Sequence, residues 1–273
     1  MAVTTSRTWD LFIGGAPTPG TRAERRPLLD PATNRPVADV AVGHRDDARH
    51  ALEVAEKAFR ETPWSGGDGA HRAKALRRLA DLVEANAEEL ARWETLSMGK
   101  TLKESKGDVG FVVRTLEYVS GLADKIEGTT TPVPGARFSY TLREPLGVTV
   151  HIAPWNYPLV LAIRSVAPAL AAGNAVVLKP ASLTPLTALR FAELAKQAGI
   201  PDGILNVVTG PGGEVGEALV DDPRCRSVSF TGSSEVGLRL AERVAHRLIP
   251  LNLELGGKSP VLVFPDADLD RAA

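Results

Sequence analysis

The sequence predicts an α/β fold in which five parallel strands alternate with helices. In the segment 147–180, Val148, Val150 and Ile152 indicate a buried strand. An apolar helical stretch follows, and Gly173-Asn174 separates it from a second apolar strand, which implies parallel pairing. The alternation continues, so strands are predicted at 147–153, 175–179, 205–209, 226–231 and 250–255, with helices near 157–171, 184–198, 213–220 and 234–247.

The residues before position 147 are predicted to be mainly helical. Residues 1–45 are expected to be irregular apart from a short strand at 11–13. Apolar residues at spacings of three and four predict helices over 48–59, with Asp46 as the N-cap, over about 71–96 and over about 101–126. Residues 128–140 combine threonines, prolines and aromatic residues, which predicts an extended, hairpin-like arm.

The composition is that of an ordinary globular protein. The chain has 273 residues, a net charge of −1, 44% hydrophobic and 24% charged residues, which argues against nucleic-acid or membrane partners. The most apolar stretch, 158–178, contains Arg164 and Pro168, so it is predicted to be buried core. Residues 1–10 lack a secretory pattern, and the single cysteine, Cys225, fits a reducing compartment. A cytoplasmic location is therefore expected.

Two glycine-rich loops follow predicted strands. The first, residues 210–216, contains Gly212 and Gly216, and the second begins at Gly232-Ser233 directly before a helix. Either loop could offer backbone N–H groups and a helix N-terminus to a pyrophosphate, or could simply form a tight turn. The pattern alone favours the turn.

Three polar side chains lie at predicted strand or helix ends, where the ligands of parallel sheets collect. Asn156 precedes a Tyr-Pro pair, and its spacing favours a helix N-cap over a catalytic amide. Lys179 ends a strand, and such a lysine is more often a surface residue than a ligand contact. Glu254 lies between leucines in a strand expected to be buried, which fits a general base and a helix-capping carboxylate equally well.

The cysteine and the histidines give weaker signals. Cys225 lies between Arg224 and Arg226, which would favour a thiolate, but its polar surroundings favour a surface-loop cysteine. The five histidines show no metal-ligand spacing, so no metal site is predicted.

Four motifs together resemble a known family. They are Pro154-Trp155-Asn156-Tyr157-Pro158, Lys179-Pro180-Ala181-Ser182, Phe230-Thr231-Gly232-Ser233 and Leu253-Glu254-Leu255-Gly256-Gly257-Lys258. Their order and separations are similar to those of the aldehyde dehydrogenase superfamily, and the likeness extends over nearly the whole chain. The resemblance implies a Rossmann-like coenzyme domain and oxidation of a small aldehyde through a cysteine thioester, with hydride passed to NAD(P)+. An alcohol-type dehydrogenase is disfavoured, because neither glycine loop supplies the dinucleotide fingerprint with an acid about 20 residues on.

The resemblance also implies roles for individual residues. Asn156 would donate its amide to the oxyanion, and Glu254 would be the general base that activates water, both facing one nicotinamide-sized crevice. Lys179 and Ser182 would lie along the adenosine ribose. Because Ser182 stands where NAD-preferring relatives often carry Glu, NADP is expected to be tolerated or preferred over NAD. The implied cofactor-binding residues are Ile152, Ala153, Pro154, Trp155, Lys179, Pro180, Ala181, Ser182, Gly212, Gly216, Phe230, Thr231, Gly232, Ser233, Val236 and Leu255.

The resemblance divides the chain into four segments. They are N-terminal strands and helices (1–127), an oligomerisation arm (128–146), the NAD(P)-binding domain (147–258) and the start of a truncated catalytic domain (259–273). The family's nucleophilic cysteine lies downstream of Glu254, and Cys225 does not match it. The chain is therefore expected to be a fragment, inactive alone, of an enzyme that forms a homodimer or homotetramer. The alternative is a non-catalytic nucleotide-binding or subunit-interaction protein derived from that family.

Overall fold

The computed structural model describes residues 8–272. Its N-terminal part contains a small sheet that was not predicted from the sequence. The prediction of irregular structure over 1–45 was wrong for these strands, which are β1 (Thr8–Trp9), β4 (Arg25–Leu29) and β5 (Pro36–Ala41), in the order β1-β5-β4. The short strand β2 (Leu11–Ile13) is confirmed. Residues 1–7, in the first predicted segment, and residue 273, in the last, lie outside the described residues. Most of residues 1–10, the range considered for a secretory signal, therefore lies outside them too.

Five helices follow these strands: α1 (Arg45–Glu61), α2 (Pro63–Gly66), α3 (Gly69–Ala85), α4 (Ala87–Met98) and α5 (Leu102–Ser120). The N-cap of α1 is His44 rather than the predicted Asp46, and the His44 backbone N–H donates to Asp47 Oδ2 at 2.8 Å. The helix predicted over 71–96 is two helices, because the backbone leaves helical geometry at Asn86 (φ −105°, ψ 17°). The helix predicted to reach 126 ends at Ser120.

The hairpin predicted at 128–140 is confirmed in its pairing. Strands β6 (Thr130–Thr131) and β7 (Ser139–Tyr140) are antiparallel and form a sheet of their own. Phe138 and Tyr140 are exposed, and their ring centroids are 5.5 Å apart. The role of this hairpin in oligomerisation stays a prediction.

The central sheet has seven strands and is mixed. Five of them pair in parallel, and β2 and β3 (Ala16–Thr18) extend the sheet in antiparallel fashion beyond the last of these five. The five are β8 (Val148–Ile152), β9 (Ala175–Lys179), β10 (Leu205–Val207), β11 (Cys225–Gly232) and β12 (Leu251–Leu255). The full order is β12-β11-β8-β9-β10-β2-β3. From β8 the chain adds β9 and β10 on one side and then β11 and β12 on the other, so the strand order reverses at β8.

The helices between these strands agree with prediction to within a few residues. They are α6 (Pro158–Ala171), α7 (Leu186–Gln197), α8 (Glu217–Asp221) and α9 (Ser234–Ala245), with a single π-helical turn at Gly212–Gly216 before α8 and a last short helix α10 (Leu269–Ala272). The apolar stretch 158–178 divides into α6 and β9, both largely buried. Across residues 8–272, no helix combines the length and the apolarity needed to cross a membrane.

Burial is uneven across the central sheet. Val176, Val177 and Leu178 in β9 are fully buried, because helices cover β9 and other strands flank it. By contrast, β12 is the outer strand of the sheet among the described residues, and Glu254 and Leu255 are exposed. The side chains of Val261, Leu262, Val263 and Phe264 beyond it are exposed as well.

Candidate active site

A cleft of about 540 Å³ opens at the carboxyl ends of β8, β11 and β12, beside the strand where the sheet order reverses. Ligands of open α/β sheets bind at such reversal points. Asn156 and Glu254 both line this cleft, and their catalytic roles stay predictions. The other predicted residues that line it are Ile152, Ala153, Pro154, Trp155, Phe230, Thr231, Gly232, Ser233 and Leu255.

The remaining predicted residues lie outside this cleft lining. Lys179 ends β9 and is followed by the turn 180–182, while Gly212 and Gly216 bound the π-helical turn. A methyl group added at Gly216 would lie 3.7 Å from Lys179 Cδ and 3.8 Å from Ile152 Cδ1, which places this turn against both strand ends. Val236 lies in the first turn of α9.

Asn156 follows β8 in the turn that leads to α6. The N-cap of α6 is Tyr157, so the interpretation of Asn156 as an N-cap was wrong. Its side chain is half-buried, and the described residues offer it no hydrogen-bond partner. The amide therefore faces the cleft with its donors free for a ligand.

A buried carboxylate does the capping instead. Glu94 of α4 is fully buried, and its Oε1 accepts the Leu159 N–H of α6 at 3.1 Å. Its Oε2 accepts the Thr187 hydroxyl at 2.8 Å. Burial raises the pKa of Glu94, and the two hydrogen bonds act in the opposite direction. A side chain 65 positions away in sequence thus fixes the start of α6 beside Asn156.

A buried ion pair supports the same turn. Lys100 Nζ lies 2.5 Å from Asp108 Oδ2, and these side chains are only 6% and 15% exposed. The same ammonium lies 3.9 Å from the centroid of the Tyr157 ring, a cation–π contact. Tyr157 is therefore held on one side while Asn156, its neighbour, faces the cleft.

Glu254 occupies a different environment from the one expected. The strand was expected to be buried, but β12 lies at the sheet edge and the Glu254 side chain is 49% exposed. Its Oε2 is 3.2 Å from Arg164 Nη2, and the described residues show no helix N–H bonded to it. The capping alternative is therefore unsupported, and the general-base role stays a prediction.

Lys179 is not the surface residue that its position suggested. The side chain is 4% exposed, and Nζ donates to the Pro180 oxygen at 3.0 Å. Burial, and then the nearby charge of Arg26, lower the pKa of Lys179 to about 8. Ser182 lies in the following turn, where its hydroxyl donates to the Gly210 oxygen at 2.6 Å.

Cys225 is likewise not a surface-loop cysteine. It is the first residue of β11 and is 1% exposed, while the adjacent Arg226 faces solvent. Burial raises the pKa of the Cys225 thiol to about 11. The prediction from polar neighbours was wrong, because strand alternation turns Cys225 inward, and a thiolate is disfavoured.

Three residues next to the site were not predicted: Arg164, Glu94 and Arg26. Arg164 lies three positions after Leu161 on α6, and both line the cleft, so they share one helix face that follows directly after the Asn156 turn. Glu94 and Arg26 act across long sequence separations that no local pattern reveals.

Within the described part of the chain, no group of three or more His, Cys, Asp or Glu side chains is arranged to hold a metal ion.

Among the titratable groups near the site, His151 on β8 is buried between two hydroxyls. Its Nδ1 is 2.9 Å from Ser165 Oγ and its Nε2 is 3.0 Å from Thr149 Oγ1. Burial lowers the pKa of His151 to about 4, so the ring is neutral at pH 7.

The chain is similar in sequence to known proteins. A family profile described as "Aldehyde dehydrogenase family" matches residues 18–273. The hydroxyisobutyraldehyde dehydrogenase of Mycolicibacterium austroafricanum is 47% identical over 262 residues, covering 96% of this chain and 52% of that protein. The betaine aldehyde dehydrogenase of Bacillus subtilis (strain 168) is 41% identical, with coverages of 96% and 54%. The chain spans about half the length of the curated relatives it matches.

Solved structures agree in fold. The crystal structure of an NAD-dependent aldehyde dehydrogenase from Sinorhizobium meliloti matches with a TM-score of 0.94 at 39% identity, covering 99% of this chain and 54% of that chain. The NAD+ complex of an aldehyde dehydrogenase from Bacillus cereus matches with a TM-score of 0.94 at 38% identity, covering 98% of this chain and 55% of that chain.

Proposed function

The chain belongs to the aldehyde dehydrogenase family, and on that premise we propose that it is the NAD(P)-binding portion of an enzyme that oxidises aldehydes to carboxylates. One observation carries the proposal: Asn156 and Glu254 line a single cleft at the carboxyl ends of parallel strands. An amide donor can stabilise the oxyanion formed when a thiolate adds to an aldehyde, and a carboxylate base can activate the water that hydrolyses the resulting thioester.

The residues of the cleft suit these two tasks. The Asn156 amide would donate to the oxyanion that forms when a thiolate attacks the aldehyde carbon, and such a donor stabilises a transition state by about 2.7–4 kcal/mol. Glu254 would then take the proton of the water that hydrolyses the thioester, and its half-exposed position gives that water access. NAD(P)+, when bound, supplies the hydride acceptor.

The surroundings of the cleft fit a dinucleotide. The space above Gly212 and Gly213 is open, so a ligand could approach their backbone closely. We propose that Lys179 and Ser182 bind the adenosine ribose and that Gly232-Ser233 lies near the pyrophosphate. The side chain at position 182 is a hydroxyl rather than a carboxylate that would repel a 2′-phosphate, so NADP+ is expected to be accepted alongside NAD+.

We propose further that the chain of 273 residues does not turn over aldehydes by itself. Its one cysteine, Cys225, is buried, and its thiol pKa is about 11. This observation also favours the second candidate, a non-catalytic nucleotide-binding or subunit-interaction protein. A reading frame that continues into a second domain with a cysteine would favour the enzyme over that candidate.

Calorimetric titration with NAD+ and NADP+, followed by an assay for aldehyde-dependent NAD(P)H formation, tests the proposal. We expect coenzyme binding without turnover, and Cys225→Ser should bind the coenzyme equally well. Absence of binding at millimolar coenzyme would overturn the coenzyme site. Turnover that is lost in Cys225→Ser would show instead that this buried thiol is the nucleophile.

The organisation of the full-length protein belongs to the same proposal. Residues 1–127 would pack on a coenzyme domain of Rossmann type over 147–258, the arm 128–146 would join subunits of a homodimer or homotetramer, and 259–273 would begin the catalytic domain. We propose a cytoplasmic location, since an unpaired cysteine persists in a reducing compartment.

A further inference from the structure

The N-terminal sheet places a cation beside the turn proposed to hold the adenosine ribose. Arg26 of β4 donates a hydrogen bond from Nη2 to the backbone oxygen of Ser182, although 156 positions separate the two residues. Burial is the main cause of the lowered pKa of Lys179, and the nearby charge of Arg26 lowers that pKa further. Two cations from different sheets therefore lie close to the turn 180–182.

Neither cation has an acidic partner among the described residues. The neighbouring Arg25 forms ion pairs with Asp10 at 2.6 Å and with Asp39 at 2.7 Å, whereas Arg26 and Lys179 occur in no described ion pair. A guanidinium has five N–H donors, and the hydrogen bond to Ser182 uses one of them. Like charges held close together, one of them buried, are stabilised by an added anion.

The chemistry of the cluster indicates which anion fits. A planar guanidinium binds a phosphate through two parallel hydrogen bonds, and an ammonium adds a point charge. Ser182 beside them is small and uncharged, so it leaves room for a phosphate group. Arg26 is partly exposed, and its remaining donors are therefore open to a ligand.

We propose that Arg26 is a specificity-determining residue that, together with Lys179, binds the 2′-phosphate of NADP+. This inference rests on the proposed function, because it takes the turn 180–182 as the adenosine end of the coenzyme site. NAD+ carries a hydroxyl at that position and gains nothing from a second cation. Arg26 thus favours NADP+ over NAD+ through the 2′-phosphate alone.

Calorimetric titration with two pairs of ligands tests the inference: NADP+ against NAD+, and adenosine 2′,5′-bisphosphate against AMP. The second pair isolates the 2′-phosphate from the nicotinamide. Arg26→Gln should weaken NADP+ and the bisphosphate about 10- to 100-fold and change NAD+ and AMP less than about 3-fold. Arg26→Lys should give an intermediate loss, because it keeps the charge without the planar fork.

Arg35 provides the matched control, since it is an exposed arginine in the turn between β4 and β5. Arg35→Gln makes the same change in net charge and should leave both affinity ratios unaltered. Equal effects of Arg26→Gln and Arg35→Gln on the two affinity ratios would overturn the inference. It would also be overturned if the unmodified chain binds NAD+ but binds adenosine 2′,5′-bisphosphate no better than AMP. If neither dinucleotide nor either nucleotide binds, the proposed coenzyme site itself fails.

Discussion

The two walls of the cleft are built differently. The Asn156 wall, residues 153–158, rests on the buried carboxylate of Glu94 and on the buried pair of Lys100 and Asp108. The Glu254 wall, residues 251–256, lies on the outer strand of the sheet in the described part of the chain, and the ion pair that it forms there with Arg164 is about half exposed. One polar group is thus positioned by interior contacts, and the other by contacts in water.

The two walls therefore differ in how strongly the free energy of unfolding depends on the side chains that support them. A buried ion pair that loses one partner leaves an uncompensated charge, whereas an exposed pair is screened and contributes little. Substitutions behind the Asn156 wall should therefore have large effects on the free energy of unfolding. Substitutions on the Glu254 wall should have small ones.

The largest effect is expected for Asp108→Ala. Lys100 would keep a buried charge without its carboxylate, and the free energy of unfolding should fall by about 3 kcal/mol. Glu235→Ala is the control, since Glu235 pairs with Arg239 at 2.7 Å on the exposed face of α9 and its loss should cost less than about 1 kcal/mol. Chemical denaturation measures both values. Equal losses in the two variants would contradict the contrast between the walls.

An effect of at most similar size, which develops only as the pH falls, is expected from His151 beneath the Asn156 wall. Its pKa is about 4 in the folded chain, below the value of 6.5 of a free histidine. A depressed pKa contributes stability that is present above pH 6.5 and is lost as the pH falls towards 4, a loss of about 3 kcal/mol at most. Unfolding curves between pH 7 and 4 should show this loss in the unmodified chain. His151→Gln should show a flatter dependence, and parallel profiles would refute the assignment.

The smallest effect is expected for Arg164→Gln on the Glu254 wall. The ion pair with Glu254 has side chains that are 44% and 49% exposed, so its removal should change the free energy of unfolding by less than about 1 kcal/mol. Raising the salt concentration should reduce the difference further, because salt screens exposed charges. A loss as large as that of Asp108→Ala would show that both walls are supported alike.

The sequence predicted the parts of this molecule that local pattern controls. The regular alternation of apolar strand and helix segments located all five parallel strands, and the Asn156 and Glu254 motifs located two residues that line the same cleft. The sheet of β1, β4 and β5 was missed because its strands are short and because β1 pairs with β5 across about 30 residues that no local pattern relates. The same limit applies to the contact of Glu94 with Leu159, since it joins two helices that no local spacing relates.

Burial was the other property that local pattern misjudged. Cys225 has polar neighbours, but Arg224 is held by Asp222 at 2.7 Å and the strand turns the thiol inward. Lys179 has the residue type of a surface position, yet its backbone lies in the middle of the sheet, and its side chain is buried with it. In both cases the tertiary position of the strand, which the residue type does not report, determined the outcome.

The outer position of β12 has a consequence for the carboxylate it carries. One side of this strand bonds to β11, and its other row of backbone N–H and C=O groups has no strand beside it in the described chain. Any polypeptide that added to that row would bond directly to the strand that carries Glu254, while Asn156 is held by contacts in the interior. The separation of the Glu254 and Asn156 side chains is thus more open to adjustment from the Glu254 side.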